Sequence, residues 1–161
     1  MANLYVTITE EITLPNNTTE KTYVFKNITG INQIVRRVDT ITTNFSDSGI
    51  EILKFVDSEA QQVGSGFVKQ DTKYVRITNL SQTYSAVIYL VVTNQESTLF
   101  NLDPGKTLMF NDADINASST IDYVAESYVD EMYYSSFAYI DSIKAKAIGG
   151  NVQLEYFVAS L

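Results

Sequence analysis

The chain has 161 residues, 11 Lys and Arg against 19 Asp and Glu for a formal net charge of −8, and neither cysteine nor histidine. That length suits one domain able to bury a core without a disulfide or metal staple. The missing residue types exclude Cys/His nucleophile systems, thiolate or imidazole zinc sites and the usual proton shuttle near neutral pH, and the acidic balance argues against wrapping nucleic acid, which needs clustered Lys or Arg.

The opening MANLYVTITEEITLP places Leu4, Val6 and Ile8 on one parity, as a strand does, until Pro15-Asn16-Asn17 breaks the pattern. It lacks a basic region followed by an apolar run, and no later stretch nears the roughly 20 apolar residues of a membrane span. The expectation is therefore synthesis in the cytosol, with no membrane partner. KTYVFKNI and INQIVRRVDTITTNF read as strands separated at Gly30. In the second, the apolar positions change parity between Ile34 and Val35, which predicts a bend or bulge. The chain's only basic doublet, Arg36-Arg37, reads as one arginine on each face of that strand. GIEILKFV is the next strand, EAQQVGSG a loop, and YVRITNL a further strand.

YSAVIYLVVTN is apolar at both parities, with Val87, Tyr89 and Val91 against Ile88, Leu90 and Val92, so it needs cover on two sides. TLFNL, the turn DPGK and TLMF read as a hairpin, because Pro104 fixes φ at the second turn position and Gly105 supplies a positive φ at the third. In NDADIN, Asp112, Asp114 and Asn116 repeat the opening of a calcium loop. Ala117 then stands where the tight-turn glycine belongs and Tyr123 where the bidentate glutamate belongs, so no metal ligand is assigned.

The segment SSTIDYVAESYVDEMYYSSFAYID departs from the β pattern. Ile121, Val124, Ala125, Tyr128 and Met132 fall at helical spacing and allow one short helix near 119–133, while the tyrosines and β-branched residues fit an ordered aromatic loop equally well. Tyrosine offers large contact area at small entropic cost, which makes Tyr123, Tyr128, Tyr133, Tyr134 and Tyr139 the interface candidates. Nothing marks a catalytic residue or a cofactor site: no serine has a base, no paired carboxylates sit in a glycosidase context, and no glycine-rich loop opens a helix. The closing SIKAKAIGGNVQLEYFVASL reads as a hairpin around Gly149-Gly150, setting Ala147 opposite Val152, Ala145 opposite Leu154, Ile143 opposite Tyr156, and Lys144 opposite Glu155 on the other face.

These signals predict an all-β fold, an antiparallel two-layer sandwich of jelly-roll-like kind, over a single domain 1–161. The succession YVRITNLSQTYSAVIYLVVTN, LFNLDPGKTLMFND and IDSIKAKAIGGNVQLEYFVAS, over residues 72–161, resembles small β-sandwich virion proteins of tailed bacteriophages. The resemblance implies a non-enzymatic structural role in the particle, as a capsid decoration protein or a neck or tail accessory. Its expected partners are other virion proteins and copies of itself. A carbohydrate-binding module for host attachment is the competing expectation.

Overall fold

The computed structural model describes residues 2–43, 49–58, 66–92, 98–111 and 140–161, and every regular element among them is a strand. These are β1 (Ala2–Thr13), β2 (Thr19–Ile31), β3 (Gln33–Ile41), β4 (Ile50–Val56), β5 (Phe67–Val68), β6 (Thr72–Asn79), β7 (Ser85–Val92), β8 (Thr98–Leu102), β9 (Thr107–Asn111), β10 (Ile140–Ile148) and β11 (Val152–Ser160). The helix expected near 119–133 lies outside the described residues.

The antiparallel pairings are nested. β7 pairs with β8, β6 with β9, β4 with β10 and β3 with β11, so the chain from β3 onward doubles back on itself as one long two-stranded ribbon. The ribbon rolls up by pairing β10 with β7 and β11 with β6. Two sheets result, β5-β4-β10-β7-β8 and β3-β11-β6-β9, with the two-residue β5 added in parallel to β4. This is the jelly-roll arrangement of two antiparallel sheets packed face to face. One core lies between them, with Ile41, Ile77, Leu154 and Tyr156 from one sheet against Leu53, Ile88, Ile143 and Ala145 from the other, all within 3% of full burial.

The last strand is thus not the outer arm of a hairpin. β10 and β11 belong to different sheets, and Gly149-Gly150 carries the chain across the core instead of back alongside itself. Each of the six apolar residues expected to pair in register is inward and buried, but the two sets meet face to face across the sandwich. Lys144 sits opposite Tyr89 and Glu51, and Glu155 opposite Val38 and Thr78, so the expected Lys144–Glu155 pair does not form. Both residues of the turn must be small, for Gly149 has φ +82° and a Cβ on Gly150 would stand 2.3 Å from the Tyr84 ring.

The same correction applies to TLFNL-DPGK-TLMF. The turn itself is as expected, with Gly105 at φ +71° and Lys106 N donating to Asp103 O at 3.0 Å, yet it links β8 in one sheet to β9 in the other. Asn79, fully buried at the end of β6, ties these crossings together. Its Nδ2 donates to Tyr84 O and Leu102 O, each at 2.9 Å, and its Oδ1 accepts from Ser81 N at 2.9 Å. One side chain thereby satisfies polar backbone at the β6–β7 crossing and at the end of β8.

β3 pairs with β11 from Gln33 to Ile41 in unbroken register, so the expected bulge is absent. The parity change has another cause: Val35 and Ile41 face the core side, whereas Ile34 and Val38 point outward and are 55% and 51% exposed. The doubly apolar strand is β7, flanked by β10 and β8. Its Ile88 is buried, while outward Val87, Tyr89 and Val91 are half-buried.

Candidate functional site: a projecting hairpin and the grooves at its root

β1 and β2 form a separate two-stranded sheet, paired from Leu4↔Ile28 to Thr13↔Thr19 and closed at Asn17, which has φ +62°. Strands of 12 and 13 residues exceed the 9 of the longest sandwich strand. At about 3.4 Å per residue they reach roughly 40 Å, more than the sheet beneath can cover. Among the described residues only the root is docked: Leu4, Val6, Ile28 and Ile31 pack with Tyr74, Phe157 and Ala159 on the outer surface of the β3-β11-β6-β9 sheet.

Beyond the root both faces of the hairpin keep large apolar side chains in solvent. One face continues the docked row with Ile8, Val24 and Ile12, exposed by 38%, 50% and 59%. The opposite face carries Tyr5, Tyr23 and Phe25, with Phe25 75% exposed and stacked on Tyr23 at 6.4 Å between ring centroids. A two-stranded ribbon has no interior, so neither row can be buried within it. A contiguous exposed apolar surface of this kind marks a contact site.

Two open grooves flank the root. The first, about 440 Å³, runs under Ile8, Val24 and Phe25 toward Met109 and Phe110, which shows that the hairpin leaves the sandwich over β9. The second, about 430 Å³, has Tyr5, Thr7, Tyr74 and Phe157 in its walls together with Arg36 and Arg76. Arg36 lies on β3, Arg76 on β6 and Glu155 on β11 between them, all on the outward face. Arg36 Nε donates to Glu155 Oε2 at 2.8 Å, with Nη2 also on that oxygen, and Arg76 Nη2 donates to Oε1 at 2.7 Å. The hydrogen bonds from Arg36 lower the Glu155 pKa below its ordinary 4.5; burial opposes them, and the Arg36 charge and Arg76 add to the fall. Arg76 also lies over the Phe157 ring at 5.6 Å, and its Nε is buried without a hydrogen-bond partner among the described residues. A carboxylate gripped by two guanidiniums is a poor proton acceptor, so this cluster can hold a ligand or a neighbour but is ill suited to act as a general base.

Arg37 takes the other face of β3, as expected of the doublet, with its guanidinium 5.9 Å from the Tyr156 ring centroid. The Tyr156 hydroxyl donates to Asp39, and its pKa is pushed up to about 12, first by burial and then by that bond and the Asp39 charge. Spectrophotometric alkaline titration should show one tyrosine ionising near pH 12, a step absent in Tyr156→Phe. In the turn between β5 and β6, Lys69, 5% exposed, meets Asp141 at 2.8 Å and Asp57 at 2.9 Å. Burial alone lowers its pKa, but the two carboxylates outweigh it and leave the ammonium charged.

The residues expected to form an interface, Tyr123, Tyr128, Tyr133, Tyr134 and Tyr139, lie outside the described residues, as do Asp112, Asp114 and Asn116. Among the described residues no group of three or more acidic side chains is placed to hold a metal, and no helix is long and apolar enough to cross a membrane. The hairpin was not anticipated as a site, although its signal is present in TYVFK, where Tyr23, Val24 and Phe25 are large at both parities. Comparison with protein-family models, curated proteins and solved structures returns no match.

Proposed function

We propose that the protein is a non-enzymatic structural component of a bacteriophage virion, a capsid decoration protein or a neck or tail accessory, held by protein–protein contacts. The observation that carries this reading is the β1–β2 hairpin, which extends past its own sandwich with apolar and aromatic rows on both faces. A second protein surface would bury what the chain itself leaves in water. The motif succession over residues 72–161 supports the phage setting, and the net charge of −8 suits the outside of a DNA-filled shell. Jelly rolls serve in viral capsids and in lectins alike, so the fold by itself selects neither.

The test is rebinding to particles stripped of accessory proteins. The full chain should cosediment with them, and Tyr23→Ser with Phe25→Asp should weaken binding by about a hundredfold, as loss of two aromatic anchors does. Both side chains are exposed, so melting temperature should stay within a few degrees of wild type. A chain that stays in the supernatant, or a variant that rebinds like wild type, would sink the reading.

A carbohydrate-binding module for host attachment is favoured by one observation, the groove in which Tyr5, Tyr74 and Phe157 meet Arg36 and Arg76. Saturable glycan binding lost in Tyr5→Ala would select it.

A further inference from the structure

Among the described residues the sandwich has four edges, and three are blunted. β5 has two residues, β8 has five, and β9 has five and lies under the departing hairpin. The fourth is β3, nine residues in regular register with β11, without proline or bulge, and no strand pairs with its outer side among the described residues. A long regular edge is a template for another strand, and natural proteins guard such edges with charges that point inward. β3 carries two on its core-facing row, Arg37 and Asp39, but they are of opposite sign and two residues apart.

That spacing is self-complementary. We propose that β3 is the homodimer contact: two copies pair antiparallel through this edge about a two-fold axis at Val38, joining their four-stranded sheets into one continuous sheet. In this register Arg37 of each copy faces Asp39 of the other on the core side, giving two equivalent ion pairs, and Val35 faces Ile41. On the outer side the two Val38 side chains, each 51% exposed in the monomer, cover one another. The neighbouring symmetric registers fail. Centring on Arg37 sets two guanidiniums against each other, and centring on Asp39 does the same with two carboxylates. The edge charges thus select one register and one partner, a second copy of this chain. The inference stands apart from the particle reading, because the hairpin leaves over the opposite edge of the sheet.

The natural chain has no cysteine, so Val38→Cys gives an unambiguous reporter. Residues facing each other across an antiparallel pair have Cα atoms about 4.5–5.5 Å apart, within disulfide reach. Mild oxidation should therefore cross-link Val38→Cys into a dimer. Thr40→Cys, whose two copies would lie about 14 Å apart along the strands, should stay unlinked. In sedimentation, Arg37→Asp and Asp39→Arg should each weaken the dimer at least tenfold, and mixing the two variants should restore it as a heterodimer, since every facing pair is then of opposite sign. Val38 is half-exposed and outside the core, so Val38→Cys leaves the fold intact and the cross-linking result decides the matter should either charge variant fail to fold. A chain that is monomeric at millimolar concentration, Val38→Cys that does not cross-link, or a dimer indifferent to both charge variants overturns the proposal. Rebinding to stripped particles is measured separately, so failure of one reading is distinguishable from failure of the other.

Discussion

Replacing Asn79 with leucine should remove about 3 kcal/mol of stability and lower the melting temperature by about 6–12 °C. Asn79 is fully buried and makes three side-chain hydrogen bonds, two of them to the carbonyls of Tyr84 and Leu102. Leucine is of similar volume, so no cavity contributes. What remains is the desolvation of two carbonyls and one N–H left without their partner, each costing on the order of 1 kcal/mol or more. Asn79→Asp should be worse despite its closer shape. It keeps an acceptor for Ser81 N but turns a carboxylate toward two carbonyl oxygens in a buried site. Urea unfolding checks both, and the slope with denaturant should be unchanged, because the surface exposed on unfolding is the same. The exposed pair Thr78 and Thr107, 3.0 Å apart, serves as the control, and Thr78→Val should shift stability by only a few tenths of a kcal/mol.

Glu155→Gln is expected to cost about 2 kcal/mol at neutral pH, with a characteristic dependence on acid. The carboxylate satisfies Arg36 and Arg76 together, and the two arginines do not suffer equally when it goes. Arg36 is 67% exposed and returns to water, whereas Arg76 is 35% exposed, stacked on Phe157 and already carries a buried Nε with no partner among the described residues. Arg76→Met in the Glu155→Gln background should therefore recover part of the loss, while Arg36→Met should not. The folded-state pKa of Glu155 lies below the unfolded 4.5, so the native protein binds that proton less readily than the unfolded chain. The stabilisation is complete above pH 4.5 and disappears as pH falls through the lower folded-state value. Unfolding midpoints of wild type and Glu155→Gln should accordingly converge in acid. Curves that stay parallel down to pH 2 would remove the ion pairs from the account.

The residues of the grooves were individually visible in the sequence but not as a group. Arg36, Arg76 and Glu155 are 40 and 79 positions apart in succession, and only the order β3-β11-β6 brings them side by side. The Arg36-Arg37 doublet was legible in part, since strand alternation alone sends its members to opposite faces. The reach of the hairpin was not legible, because strand length relative to the sheet below depends on where the ribbon rolls.

By itself the sequence determined most of the strands and, in the closing pair, which side chains point inward, because side-chain parity along a strand is local. Ile143, Ala145, Ala147, Val152, Leu154 and Tyr156 are core residues on that ground alone, and each is buried. It determined the Asp103–Lys106 turn for the same reason, through the φ that Pro104 fixes and Gly105 permits. Only the tertiary structure decided which strands are neighbours. A two-glycine turn can return a strand beside its predecessor or carry it across the core, and both outcomes bury the same alternate residues. The choice rests on partners far away in the chain, β4 and β7 for β10, and β3 and β6 for β11, whose backbone hydrogen bonds occupy both edges of each strand.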